Sequence, residues 1–250
     1  MGDRGAELTR SLAAVRSRLA AAAEAAGREV SEIELLPVTK YFPASDVAIL
    51  SRLGVRAVGE SREQEASAKI AEVAALVAQS RREASELSWH MVGQIQRNKA
   101  RALARWVHTV HSVDSPQLVS ALDRAVSASL GDGHRDGRLR VYVQVSLDGD
   151  VARGGADLTA AGAVDRVCAQ VEEAGSLDLI GLMAVPPRSW EPHRAFERLQ
   201  SEHRRVRESH PAAVGLSAGM SGDMEIAVKH GSTCVRVGTA LLGLRPLRSP

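Results

Sequence analysis

Short runs of apolar and β-branched residues alternate with amphipathic stretches along most of the chain. This rhythm constrains the fold more than any other feature. The runs fall at Leu35–Thr39, Val55–Gly59, Ser88–Gly93, Val107–Val113, Leu139–Leu147, Leu177–Met183, Ala213–Ser217 and Thr233–Val237. Between them, helical spacing of apolar residues recurs near 44–53, 61–78, 96–105, 115–129, 157–174, 190–209 and 221–230. A leading stretch over residues 6–26 puts Leu8, Leu12, Val15 and Leu19 on one helical face, and Gly27 follows as a stop. Strands alternating with helices build right-handed βαβ units on a parallel sheet. Eight such units in 250 residues predict an α/β fold, a closed (β/α)8 TIM barrel with an extra N-terminal helix. A doubly wound sheet would want a glycine-rich first turn for a nucleotide. The first turn here reads Val38-Thr39-Lys40-Tyr41-Phe42-Pro43, with no glycine. Residues 131–138 read as a surface loop. One domain over 1–250 is expected, with residues 1–30 leading into a barrel over 35–243.

Composition narrows the function. The net charge is +2 and aromatics make up 3%, which argues against a nucleic-acid surface or a stacking platform. Cys168 and Cys234 are far apart and form no CxxC pair, so neither a disulfide framework nor a thiolate zinc site is expected. His108 and His111 are close, but no carboxylate cluster accompanies them, and no metal is expected. No apolar run approaches the roughly 20 residues that span a bilayer. Arg10, Arg16 and Arg18 interrupt the N-terminal stretch, unlike a secretory leader. A cytoplasmic protein is the expectation.

A barrel of this kind presents its chemistry at the C-terminal ends of its strands. Only four of the 32 basic residues are lysines, at 40, 69, 99 and 229, and of these only Lys40 falls at a predicted strand end. Lysine can lose its proton and act as an amine nucleophile, which arginine cannot. An apolar wall before Lys40 would favour its neutral form and suit attack on a carbonyl. The alternative is a surface lysine capping the strand, or a partner for Glu60. A second candidate is the small-residue loop Ser217–Glu225, with Ser221 as the helix N-cap, beside Arg236, Gly238 and Thr239 on the last strand. Loops after the seventh and eighth strands of such barrels often hold phosphate. The alternative is an ordinary capped helix favoured by Asp223 and Glu225. The basic segment from Gln94 to Arg105 reads as a solvated helix face.

A carbonyl-reactive lysine with a phosphate cradle is what a pyridoxal 5′-phosphate barrel requires. The chain resembles the pyridoxal phosphate homeostasis proteins in the stretches PVTKYFP, VGESREQEA, WHMVGQIQRNK, VHSVDS, GLMAVPP and LSAGMSGDMEIAVKHGSTCVRVGTALLG. The resemblance implies a single alanine-racemase-like barrel with pyridoxal 5′-phosphate as its cofactor. It implies that Lys40 holds the cofactor as a Schiff base and that Ser221, Gly238 and Thr239 hold its phosphate. It sets Arg236 near the pyridine nitrogen and His90 and Met183 in the pocket lining. Ser61 stands where many members carry an asparagine near the cofactor ring, so a shorter hydroxyl would act there, directly or through water. The implied role is intracellular vitamin B6 homeostasis without robust catalysis. Its partners would be pyridoxal phosphate, other B6 vitamers and enzymes that depend on pyridoxal phosphate. Two other readings are a racemase-like enzyme using the same cofactor, and a cofactor-free class I aldolase. Racemases of this barrel type take a second base from an added β-domain. Here the chain ends soon after the last strand and its only tyrosines are Tyr41 and Tyr142. A monomer is expected, with a dimer as the alternative.

Overall fold

The computed structural model describes residues 3–79 and 87–244; the rest of the expected 1–250 domain lies outside these described residues. Its strands are β1 (Glu34–Pro37), β2 (Ala57–Glu60), β3 (Ser88–Met91), β4 (Thr109–Val113), β5 (Leu139–Ser146), β6 (Ala156–Asp157), β7 (Leu177–Met183), β8 (Gly215–Ser217) and β9 (Cys234–Val237). All named pairings are parallel, in the order β1-β9-β8-β7-β5-β4-β3-β2. A single bridge between Val38 and Gly59 closes the circle, and the Thr39 amide donates to the Gly59 carbonyl at 2.9 Å. The eight predicted strands are thus the eight staves of a parallel barrel. The short β6 pairs only with β5, outside the circle.

Helices α1 (Asp3–Ala25), α2 (Ala44–Arg52), α3 (Glu63–Gln79), α4 (Ala100–Leu103), α5 (Pro116–Gly131), α6 (Ala163–Glu173), α7 (Pro192–Ser209), α8 (Met224–Lys229) and α9 (Thr239–Leu242) surround it. Helix α7 shows how the sequence specifies them. Glu191 accepts bonds from the His193 and Arg194 amides at 3.0 Å each, and Pro192 occupies the first turn. Ala195, Phe196, Leu199, His203 and Val206 then form the buried stripe. In α1, Leu8, Leu12, Val15 and Leu19 are buried as the spacing predicts. Arg4 pins that helix to α2: its Nη2 donates to Asp46 Oδ2 at 2.6 Å and its Nε to the same oxygen at 3.1 Å.

Three stretches differ from expectation. The helix expected over 157–174 begins only at Ala163. Asp157 Oδ1 accepts from the Thr159 amide and hydroxyl at 2.8 and 2.7 Å, and Gly154, Gly155 and Gly162 hold positive φ. These turns keep the segment extended and looped. The helix expected over 96–105 is a 3-10 turn, Arg97–Lys99, followed by the one-turn α4. The short α9 was not foreseen, because four residues carry too little periodicity to reveal a helix.

The barrel interior is filled tightly around glycines. A Cβ at Gly59 would meet side chains of Val92, Leu36 and Val38 at 3.3–3.5 Å. At Gly215 it would lie 2.7 Å from Tyr142 Cε1. Among the described residues, no helix is long and apolar enough to cross a membrane.

Candidate functional site

Lys40 lies three residues past the end of β1, in a turn rather than on the strand as expected. The next residue, Tyr41, is the one non-glycine residue described with positive φ, at 71°. The turn is anchored from behind. Thr39 Oγ1 donates to Glu60 Oε1 at 2.7 Å, and Lys69 Nζ, from α3, donates to the same oxygen at 2.7 Å and to the Thr39 carbonyl at 2.9 Å. The Glu60 side chain is fully buried and its other oxygen, Oε2, has no partner among the described residues. Glu60 is therefore committed to Lys69, not to Lys40.

The Lys40 turn opens onto a cavity of about 300 Å³ at the C-terminal mouth of the barrel. Its lining brings together Lys40, Ser221, Arg236, Gly238 and Thr239, with Val38, Val185 and Met220 among the apolar contributors. The backbone is bare at two points: a Cβ at Gly222 would meet nothing within 4 Å, and one at Gly238 only the Val38 carbonyl at 3.6 Å. Ser221 does not cap α8 as expected. Asp223 sits at that cap position, its Oδ1 accepting from the Met220 amide at 2.6 Å. Ser221 Oγ instead accepts from the Ala240 amide at 3.3 Å, which ties the two loops of the candidate cradle to each other.

Three expected pocket residues lie elsewhere. Ser61 lines a neighbouring cleft of about 430 Å³ with Gln94, Gln96 and Lys99. Packing explains the separation: a Cβ at Gly93 would collide with the Ser61 backbone, so the two loops abut there. Met183 is 1% exposed and stays in the barrel wall, in register with Ser217 and Gln144. His90 is buried and turned inward, its Nδ1 3.0 Å from His111 Nε2.

Arg236 is the inner wall of the cavity. It is 5% exposed, with Nη1 donating to Ser217 Oγ at 2.6 Å and Nη2 to the Ala184 carbonyl at 2.9 Å. His111 Nδ1 lies 2.8 Å from the same Ser217 oxygen. Burial, then His90, Arg236 and Arg140, holds His111 well below the ordinary histidine range. Burial first, then His108 and Arg140, pushes His90 down to about 3. Both imidazoles are neutral at pH 7. Sequence reasoning gave His111 no role at the site and placed Ser217 only at the start of the candidate phosphate loop. Their signal was polar residues on strands that otherwise read as core.

Comparison with known proteins follows the same lines. The family model for the N-terminal domain of alanine racemase matches residues 11–246. A pyridoxal phosphate homeostasis protein of Mycobacterium leprae is 70% identical over 249 residues, covering 100% of this chain and 97% of the relative. The Escherichia coli K12 protein of the same name is 34% identical over 242 residues, 96% of this chain and 97% of that one. The solved structure of PipY from Synechococcus elongatus with pyridoxal phosphate bound superposes with a TM-score of 0.77 at 29% identity, covering 94% of this chain and 100% of that one. An alanine racemase of Clostridium difficile shares the fold alone, with a TM-score of 0.68 at 16% identity, over 97% of this chain and 58% of the racemase.

Proposed function

The chain belongs to the pyridoxal phosphate homeostasis proteins, within the alanine racemase N-terminal-domain family, and from that premise we propose that it binds pyridoxal 5′-phosphate at Lys40 and serves the vitamin B6 pool. One observation carries the reading: a single cavity of small-ligand size joins the Lys40 amine, two hydroxyls, bare glycine backbone and a buried guanidinium. When bound, pyridoxal phosphate supplies an aldehyde that a lysine amine can hold as a Schiff base. Ser221, Gly238 and Thr239 would hold the phosphate, where the absence of side chains at Gly222 and Gly238 leaves room for an anion against the backbone. Arg236 would face the ring. A guanidinium donates and never accepts, so a pyridine nitrogen meeting it would stay unprotonated and draw electrons weakly. That favours holding the cofactor over robust turnover, in keeping with the homeostasis names of the relatives. Other phosphorylated B6 vitamers fit the same donors, and enzymes that use pyridoxal phosphate in the cytoplasm are the natural recipients.

The test is a visible absorption spectrum of the purified protein with pyridoxal phosphate, before and after borohydride. The chromophore should be fixed by borohydride on Lys40 and lost in Lys40→Ala. Unchanged binding in Lys40→Ala would overturn the assignment. Robust turnover of an amino acid in steady-state assays would defeat the carrier reading in favour of a racemase-like enzyme.

A further inference from the structure

The interior of the barrel holds a line of polar groups that begins at the cavity and leads away from it. Arg236 Nη1, Ser217 Oγ, the two ring nitrogens of His111 and Nδ1 of His90 are linked by contacts of 2.6, 2.8 and 3.0 Å. Ser217 and His111 are fully enclosed, and Arg236 and His90 are nearly so. The His111 ring also stacks on Tyr142 at 4.6 Å between centroids. A buried polar chain of this length is costly unless each member is satisfied.

Its direction follows from its first member. Arg236 can only donate, so Ser217 Oγ accepts from it. The serine hydroxyl then has one proton to place. Its strongest acceptor is His111 Nδ1; the nearby Cys234 thiol is a weak one. With Nδ1 accepting, the neutral His111 carries its proton on Nε2 and donates to His90 Nδ1. Every bond then runs the same way, and each polarises the next.

Resting on the reading of Lys40 and Arg236 as the cofactor site, we propose that His111 is a positioning residue that acts through Ser217 on Arg236. The chain Arg236→Ser217→His111→His90 spreads the guanidinium charge into the barrel. With the Ala184 carbonyl it also fixes the plane in which the remaining guanidinium N–H groups meet the cavity. His111 does not line that cavity, so its influence on a bound pyridine ring is exerted only along this chain.

The test has two arms. In the free protein, nitrogen chemical shifts of the histidine rings near pH 6 should show His111 protonated at Nε2 and unprotonated at Nδ1. The reverse tautomer overturns the proposal. In the loaded protein, His111→Phe keeps a ring against Tyr142 but removes the acceptor. It should release pyridoxal phosphate several-fold faster and shift the visible absorption band, as expected for loss of one hydrogen bond between neutral groups. His111→Asn restores an acceptor at the Nδ1 position and should return the release rate to near that of the wild type, although it breaks the link to His90. Thermal midpoints of both variants report any loss of packing separately. If His111→Phe matches the wild type in release rate and spectrum, or His111→Asn is as impaired as His111→Phe, the relay is overturned while the cofactor site stands. If the unsubstituted protein takes up no pyridoxal phosphate, the functional reading falls and this proposal with it.

Discussion

Replacing Lys69 with methionine removes one charge from a pair that has almost no access to water. Among the described residues, Lys69 is the only cation bonded to Glu60, whose side chain is fully buried and already has one orphaned oxygen. Without the ammonium, the carboxylate must stay charged in the wall or take up a proton. An ordinary glutamate titrates near pH 4.3, so holding one protonated at pH 7 costs about 4 kcal/mol, at about 1.4 kcal/mol per pH unit. That agrees with the roughly 3–5 kcal/mol found when one partner of a buried pair is removed. For a chain of this size each kcal/mol moves Tm by roughly 2–4 °C. The variant should therefore melt about 8–16 °C below the wild type at pH 7. At pH 5 the protonation cost falls to about 1 kcal/mol, and the gap should narrow to a few degrees. Melting followed by circular dichroism at both pH values is the assay. The double variant Glu60→Gln/Lys69→Met, with no charge left to bury, should recover at least half of the loss. A gap below about 2 °C at pH 7, a gap independent of pH, or no recovery in the double variant would refute the reasoning. Because Lys69 also holds the Thr39 carbonyl, the same variant should retain pyridoxal phosphate less well.

Other outcomes follow from the same geometry. Gly215→Ala drives a methyl into Tyr142 and the Ile180 carbonyl, at 2.7 and 2.9 Å; it should cost about 1–3 kcal/mol in denaturant titration, and wild-type stability would contradict the packing described. Ser221→Ala leaves the Ala240 amide without its acceptor and should weaken pyridoxal phosphate retention several-fold, as one lost bond of about 1 kcal/mol implies; equal retention on a desalting column would count against the cradle. His90 ionises near 3 when folded and near 6.5 when unfolded, so between these values the unfolded chain binds more protons. Its contribution is complete above about pH 6.5 and should be lost as pH falls towards 3, by about 1.4 kcal/mol per unit. His90→Phe should flatten that part of the stability profile, and an unchanged slope would rule the contribution out.

The barrel was legible because eight apolar runs and their intervening stripes each repeat the same local instruction. Its staves fell within a few residues of the expected places. The irregular segments were not legible. Asp157 with Thr159, and the glycines at 154, 155 and 162, act through turn geometry that leaves no periodicity to detect. At the site, Lys40, Ser221, Arg236, Gly238 and Thr239 could be named from strand ends and loop composition, and they share one cavity. The partner of Glu60 could not be named. Lys69 lies on a helix nine residues on, and only the packing of α3 against the first turn selects it over Lys40. His90 was placed in the pocket lining by resemblance, yet β3 turns it inward to His111, a contact between residues 21 apart in sequence.

The single bridge between Val38 and Gly59 gives the barrel a mechanical character of its own. A closed sheet is a hoop, and a hoop opens first where fewest bonds cross. Between β5 and β7 the ladder is long; between β1 and β2 one bridge and the Thr39 amide carry the closure. Local opening should be least costly at this seam, so the Thr39 amide hydrogen, which crosses it to Gly59, should exchange with solvent ahead of those on the β5–β7 ladder. The Lys40 turn is attached to the seam, while Ser221 and Gly238 sit on neighbouring staves. Because β1 stays laddered to β9, parting of the seam would leave the amine with its cradle and draw β2 away from both, so a tethered aldehyde could be exposed to solvent on that side without unfolding the rest of the ring.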